Sequence, residues 1–193
     1  PSGLSEETLF YAKQNHADYP ITPKKPEIEK SEALSIEHKK VETIKTRKIA
    51  ILVADGTCQN SLDKITNPLE EGGATPVLIA PNVGSITTKQ GNVLPIEHSF
   101  LTESSVLYDA MFIPSGEKAI ELLNQEPDTF QFINEMYRHC KPLAFGIGTD
   151  TILDRTYINK QEKDWGVVIE SKDNSLDMFL KAVARHRNWA RET

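Results

Sequence analysis

Lys48-Ile49-Ala50-Ile51-Leu52-Val53-Ala54-Asp55-Gly56 is the stretch that decides the fold. From Ile49 to Ala54 it is apolar and rich in β-branched residues, with no polar position to face water. A strand of that kind has to be covered on both faces, as the inner strands of parallel sheets are. The Asp-Gly pair at its end marks a turn.

Working outward from this strand, the signals alternate. Residues 61–71 read as a helix with Leu62, Ile65 and Leu69 on one face, stopped by Gly72-Gly73. Residues 76–80 read as the next buried strand. Segments 85–88 and 92–96 flank Gln90-Gly91 as a hairpin. Then come a strand at 110–114, helices at 118–123 and 130–138, and strands at 142–146 and 167–170. Leu176, Phe179, Leu180, Val183 and Ala184 recur at helical spacing and make a closing amphipathic helix. Strands alternating with helices predict an α/β fold, a flavodoxin-like three-layer sandwich with a mainly parallel central sheet.

Residues 1–46 have a different texture. They hold Pro20, Pro23 and Pro26, a charge-rich run and only sparse apolar residues. A short helix is expected at 5–14, capped by Ser5, with Leu9 and Phe10 on its small apolar face. The rest buries too little surface to offset its ordering entropy unaided. Two readings stay open: a flexible linker, or an arm that drapes over a neighbouring domain or subunit. The domain proper is expected at 47–193.

The totals set further bounds. The chain has 193 residues, a formal net charge of −6 and 38% hydrophobic residues, with a pI near 5.4. That balance suits one packed domain and argues against nucleic acid or anionic lipid as partner. No apolar run reaches the ~18–20 residues that cross a bilayer. The sequence begins Pro1-Ser2-Gly3 without a signal peptide and reads as a piece of something longer. Cys58 and Cys140 imply no disulfide framework, so a reducing, cytoplasmic setting is expected.

In such folds, catalytic groups and ligands gather beyond the carboxyl ends of the strands. Segments 55–61, 115–119 and 147–151 are therefore the places for chemistry. At 142–153 a strand, a sharp turn and a short helix outline a nucleophile elbow. Its raised position offers Ile147, which has no nucleophilic atom, and Gly148. Gly146-Ile147-Gly148-Thr149-Asp150-Thr151 imitates a dinucleotide fingerprint, but the third Gly is Thr and the match comes late in the chain. Cys58 falls near a helix start, where a thiol pKa can drop; with no partner base in sequence, it is expected to behave as an ordinary thiol. Cys140 precedes its strand and sits at the wrong end for a nucleophile. His16, His38, His98, His139 and His186 are scattered, without metal-ligand spacing. None of Tyr11, Tyr19, Tyr108, Tyr137 and Tyr157 has an Arg four residues earlier to keep a haem-ligating phenolate basic. No metal or cofactor is expected in this chain.

Tyr108-Asp109-Ala110-Met111-Phe112-Ile113-Pro114-Ser115-Gly116 and Lys141-Pro142-Leu143-Ala144 resemble the class I glutamine-amidotransferase-like superfamily, PfpI/ThiJ branch. Members commonly carry a Cys-His pair six and seven residues after that Lys, supported by an acidic residue on the first helix. The corresponding positions here are Ile147, Gly148 and Ser61, so the resemblance implies a degenerate site. Lys48 to Val53, Gly91-Asn92-Val93-Leu94-Pro95-Ile96, Tyr108-Asp109-Ala110 and the ending Ala184-Arg185-His186-Arg187-Asn188-Trp189 are similar to the C-terminal domain of large-subunit monofunctional catalases. That resemblance covers about residues 47–191, and the Pro-rich arm fits the linker to the catalase core.

The resemblance implies a parent that dismutates hydrogen peroxide at haem as a homotetramer. The haem and its ligands belong to the parent core. The expected role is a non-catalytic accessory domain whose partners are that core and the tetramer's subunits, stabilising the tetramer or shaping access to haem. The alternative is an ATP-independent, chaperone-like module that binds unfolded clients, with Leu9, Phe10 and Tyr11 as first candidates. A residual hydrolase or glyoxalase is a third reading, disfavoured by the missing triad.

Overall fold

The computed structural model describes residues 43–158, 164–170 and 174–192. The helix expected at 5–14, the arm, His16, His38 and Leu9-Phe10-Tyr11 lie outside the described residues.

The deciding stretch forms β1 (Lys48–Leu52) at the centre of a six-stranded sheet. β1 feeds α1 (Gln59–Glu71) and β2 (Thr75–Ala80). The hairpin β3–β4 (Gly84–Thr87 and Val93–Ile96) follows, then a two-residue strand, β5 (His98–Ser99). A 3-10 turn (Ser105–Leu107) leads to β6 (Ala110–Ile113), α2 (Glu117–Gln125), α3 (Pro127–Arg138) and β7 (Leu143–Phe145). The chain closes with α4 (Asp150–Leu153), β8 (Val167–Ile169), α5 (Ser175–Arg185) and a second 3-10 turn (Trp189–Glu192). The strand order is β5-β2-β1-β6-β7-β8, and every pair in it is parallel. β3 and β4 pair antiparallel outside this sheet.

The layers follow from the period of two along each strand. Ala50 and Leu52 point to one face with Ile79, Met111, Ile113 and Phe145, where α2, α3 and α4 cover them. Ile49 and Ile51 point to the other with Phe112, Ala144 and Val168, under α1, α5 and the hairpin. The amphipathic stripe of α5 lands as expected: Phe179 and Val183 are buried, and Leu176 and Leu180 pack beside them.

Several boundaries differ from the sequence reading. The helix expected at 130–138 starts earlier, at Pro127, which fits because the first helical turn needs no amide donor there. α1 begins at Gln59, with Cys58 rather than Ser61 at its start. β5 is not anticipated: its two residues are polar, and they pair only with Ile79 and Ala80.

Candidate functional site

Three loops leave the carboxyl ends of β1, β6 and β7. After β1 the chain turns at Gly56, where φ is +89. The turn is closed by Thr57, whose Oγ1 donates to Ala54 O (2.8 Å) and accepts from Ala54 N (3.2 Å). The hairpin folds back over it. Thr87 N donates to Asp55 Oδ1 at 2.7 Å, Gly56 N to Thr87 O at 2.8 Å, and Lys89 N to Thr57 O at 2.9 Å.

The strand order reverses between β1 and β6, which is where open parallel sheets usually leave a ligand crevice. Here main chain fills it. Cys58 N donates to Ser115 O (2.8 Å), and Ser115 N donates to Ser61 Oγ (3.1 Å). Gly116, at φ +142, lets the two loops touch; a Cβ at that position would run into Gly56 O. Ser61, the position matching the superfamily's acid, is thus a buried brace for the loop after β6.

The loop after β7 has elbow geometry. Gly146 presses against the loop after β6, where a Cβ would lie 2.5 Å from Ser115 N. Gly148 takes φ +91, which leaves Ile147 raised and 66% exposed. Thr149 is buried and donates from Oγ1 to Gly146 O at 2.9 Å, and α4 starts beyond it. α4 has only four residues, so the fingerprint-like run opens no helix long enough to hold a pyrophosphate.

Cys58 lies in the loop after β1. It precedes α1, half-buried, with Gln90 Nε2 at 3.6 Å from its sulfur. The Ser61 amide lowers its pKa against the upward push of burial, helped by Gln90, the Asn60 amide and Ser115. Gln90 comes from the hairpin, so only the fold brings the two together. Cys140 is fully buried ahead of β7, as expected.

The described histidines are elsewhere. His98 Nδ1 meets Glu103 at 2.7 Å, His139 meets Glu135 at 3.3 Å, and His186 meets Asp109 at 3.1 Å. No cluster of His, Cys, Asp or Glu suited to a metal occurs among the described residues. Two clefts near this end, of about 340 and 350 Å³, are lined by neither Cys58 nor Ile147.

Tyr108 is buried and its hydroxyl donates a hydrogen bond to Glu103 (2.7 Å); burial and that bond raise its pKa. Tyr157 stands on the surface, and the Tyr137 ring lies under the Arg191 guanidinium at 4.4 Å. No described helix is long and apolar enough to cross a membrane.

Comparison with known proteins agrees with this architecture. Residues 45–193 match the C-terminal domain found in long catalases. The chain is 33% identical over 155 residues to catalase HPII of Pseudomonas putida, covering 77% of this chain and 20% of that protein. It is 34% identical over 170 residues to catalase-2 of Bacillus subtilis, covering 86% of this chain and 24% of the relative. It therefore spans about a fifth to a quarter of the length of these relatives. Among solved structures it is similar to a two-domain protein of Anabaena variabilis with DJ-1/ThiJ/PfpI-like and ferritin-like domains. The TM-score is 0.52 at 21% identity, covering 55% of this chain and 32% of that one. A six-stranded parallel sheet of DJ-1/PfpI-like, flavodoxin-like type, with a family match from residue 45 to the last residue, leads to one conclusion: this chain belongs to the C-terminal domain family of long catalases.

Proposed function

We propose that the domain is a non-catalytic accessory part of a long, cytoplasmic catalase, stabilising the parent tetramer or shaping access to its haem. The observation that carries this reading is the elbow. Its raised residue is Ile147, its neighbour is Gly148, and Ser61 is engaged in bracing a loop. Covalent catalysis needs a nucleophile with a base in reach, and neither stands here. Peroxide dismutation and haem belong to the remainder of the parent.

The test compares the full-length parent with a version lacking this domain, following peroxide turnover per haem and thermal inactivation together. The expected result is turnover largely retained and faster loss of activity on heating. If turnover collapses while haem content and assembly stay intact, the domain takes part in the chemistry and the proposal fails.

An ATP-independent holdase is the second reading. It is favoured by Leu101, Val106 and Leu107, exposed by 85%, 73% and 53%. Leu101 and Val106 flank a groove of about 580 Å³ between the first 3-10 turn and α3. Such surface captures unfolded chains. Protection of a heated client near stoichiometric ratio, reduced by changing the three residues to Ser, supports this reading. No protection at several-fold excess removes it.

A further inference from the structure

The amino ends of the strands hold a polar junction that the elbow comparison leaves unused. Asp109, at the foot of β6, takes Arg47 Nη1 on Oδ1 (3.2 Å) and Lys48 N on Oδ2 (2.9 Å). Its Oδ1 also meets His186 Nε2 at 3.1 Å. Arg47 and Lys48 belong to the segment by which the chain comes into the domain; His186 starts the segment by which it leaves. One carboxylate therefore holds both.

Backbone strain gathers at the same place. Thr46, Cys140 and His186 are the three non-glycine residues with positive φ among the described residues. Thr46 adjoins Arg47. Cys140 accepts through its carbonyl from Asn188 N at 2.7 Å. His186, at φ 73 and ψ −59, is the centre of a tight turn in which Arg187 N donates to Arg185 O (3.0 Å). That is a γ-turn of the rarer, strained hand. Strain of this kind persists only where the surroundings over-determine it.

The surroundings of the outgoing segment do so. Arg187 donates to His139 O, and Arg191 to Lys141 O (2.8 Å) and to Asp164. Asn188 Nδ2 reaches Asp164 at 2.6 Å. The contact with Asp109 adds to these a tie between the turn at His186 and the incoming segment.

We infer that Asp109 couples residues 43–48 to residues 186–192, so that the two segments loosen and tighten together as one local unit. A pull on the incoming segment then reaches the far end of the sequence without the core opening. The inference does not depend on the accessory role proposed above, because it concerns the isolated 193-residue chain.

Hydrogen–deuterium exchange on that chain at pH 7 tests it, with Asp109→Asn and His186→Gly compared with wild type. Gly accepts φ +73 freely, so this variant takes the imidazole off Asp109 without adding strain to the turn, and the exchange at 43–48 is the part of the readout that the local change at 186 does not move directly. Both variants are expected to speed exchange about tenfold at 43–48 and at 186–192, with 59–71 unchanged. A rise confined to 186–192 in His186→Gly overturns the coupling. An equal rise in 59–71 also overturns it, since that is general destabilisation. If Asp109→Asn does not fold, His186→Gly alone carries the same decision.

Discussion

The two ends of the sheet are built on opposite principles. At the carboxyl ends, where this kind of fold usually keeps its chemistry, main chain meets main chain or small polar side chains such as Thr57, Ser61 and Thr149, and the raised side chain is Ile147. At the amino ends, ionised side chains are sunk into the structure: Lys141 is 2% exposed with its Nζ on Ser105 O at 2.7 Å. Arg191 and Asp164 pair with side-chain exposures of 7% and 11%. Electrostatic interactions gain strength as water is excluded, so the polar free energy of this domain is concentrated where it closes the chain's ends. The contrast teaches that a fold can retain the outline of an active site while its charge works elsewhere.

Substitutions at each end sharpen the contrast. The largest effect is expected at the carboxyl ends, from Gly116→Ala. Its φ of +142 and the collision with Gly56 O leave a methyl no room, so a loss of about 3 kcal/mol or more is expected in urea unfolding. A loss below about 1 kcal/mol would show that the two loops are not pressed together. Next, Arg191→Ala takes the guanidinium from the part-buried Asp164 carboxylate, which keeps Asn188 and the Gly166 amide, and should cost about 2 kcal/mol. Equal stability to wild type would mean that the closing segment contributes nothing.

A third measurement uses pH. Burial and the Arg187 charge bring the Lys141 ammonium down to about 8 from 10.5, against a smaller upward pull from Asp109. Between those values the unfolded chain binds more protons than the folded one, so stability rises with pH. The cost of burying the charge is fully present below about pH 8. Wild type should gain about 1–3 kcal/mol relative to Lys141→Met between pH 8 and 10. A flat difference would contradict the lowered pKa. The smallest effect belongs to Ile147→Ser, within about 0.5 kcal/mol of wild type, with unchanged peroxide turnover in the full-length parent.

How much of this was readable in the sequence follows from range. β1 announced itself because Ile49 to Val53 leave no polar face, and α5 because five apolar residues keep helical phase. The resemblance directed attention to Ile147, Gly148 and Ser61; the exposure of Ile147 and the bond from Ser115 N to Ser61 Oγ came from the fold. What stayed hidden depends on residues far apart. Gln90 reaches Cys58 across 32 positions, and Asp109 meets His186 across 77; neither contact leaves a local pattern. β5 was missed because His98-Ser99 carries no apolar period. The ending around Asn188 was recognisable as a resemblance, while its bonds to Asp164 and Cys140 could come only from the fold.

The placing of the domain's entering and leaving segments beside Asp109 also bears on modularity. Arg47 and His186 lie 3.2 and 3.1 Å from one oxygen atom. A domain whose ends meet can be appended to a larger protein or spliced into one of its surface loops with little connecting chain. The same proximity makes residues 47–192 a candidate for circular permutation: a short link would join the entering and leaving segments, and new ends could open at the exposed tip of the hairpin near Gly91.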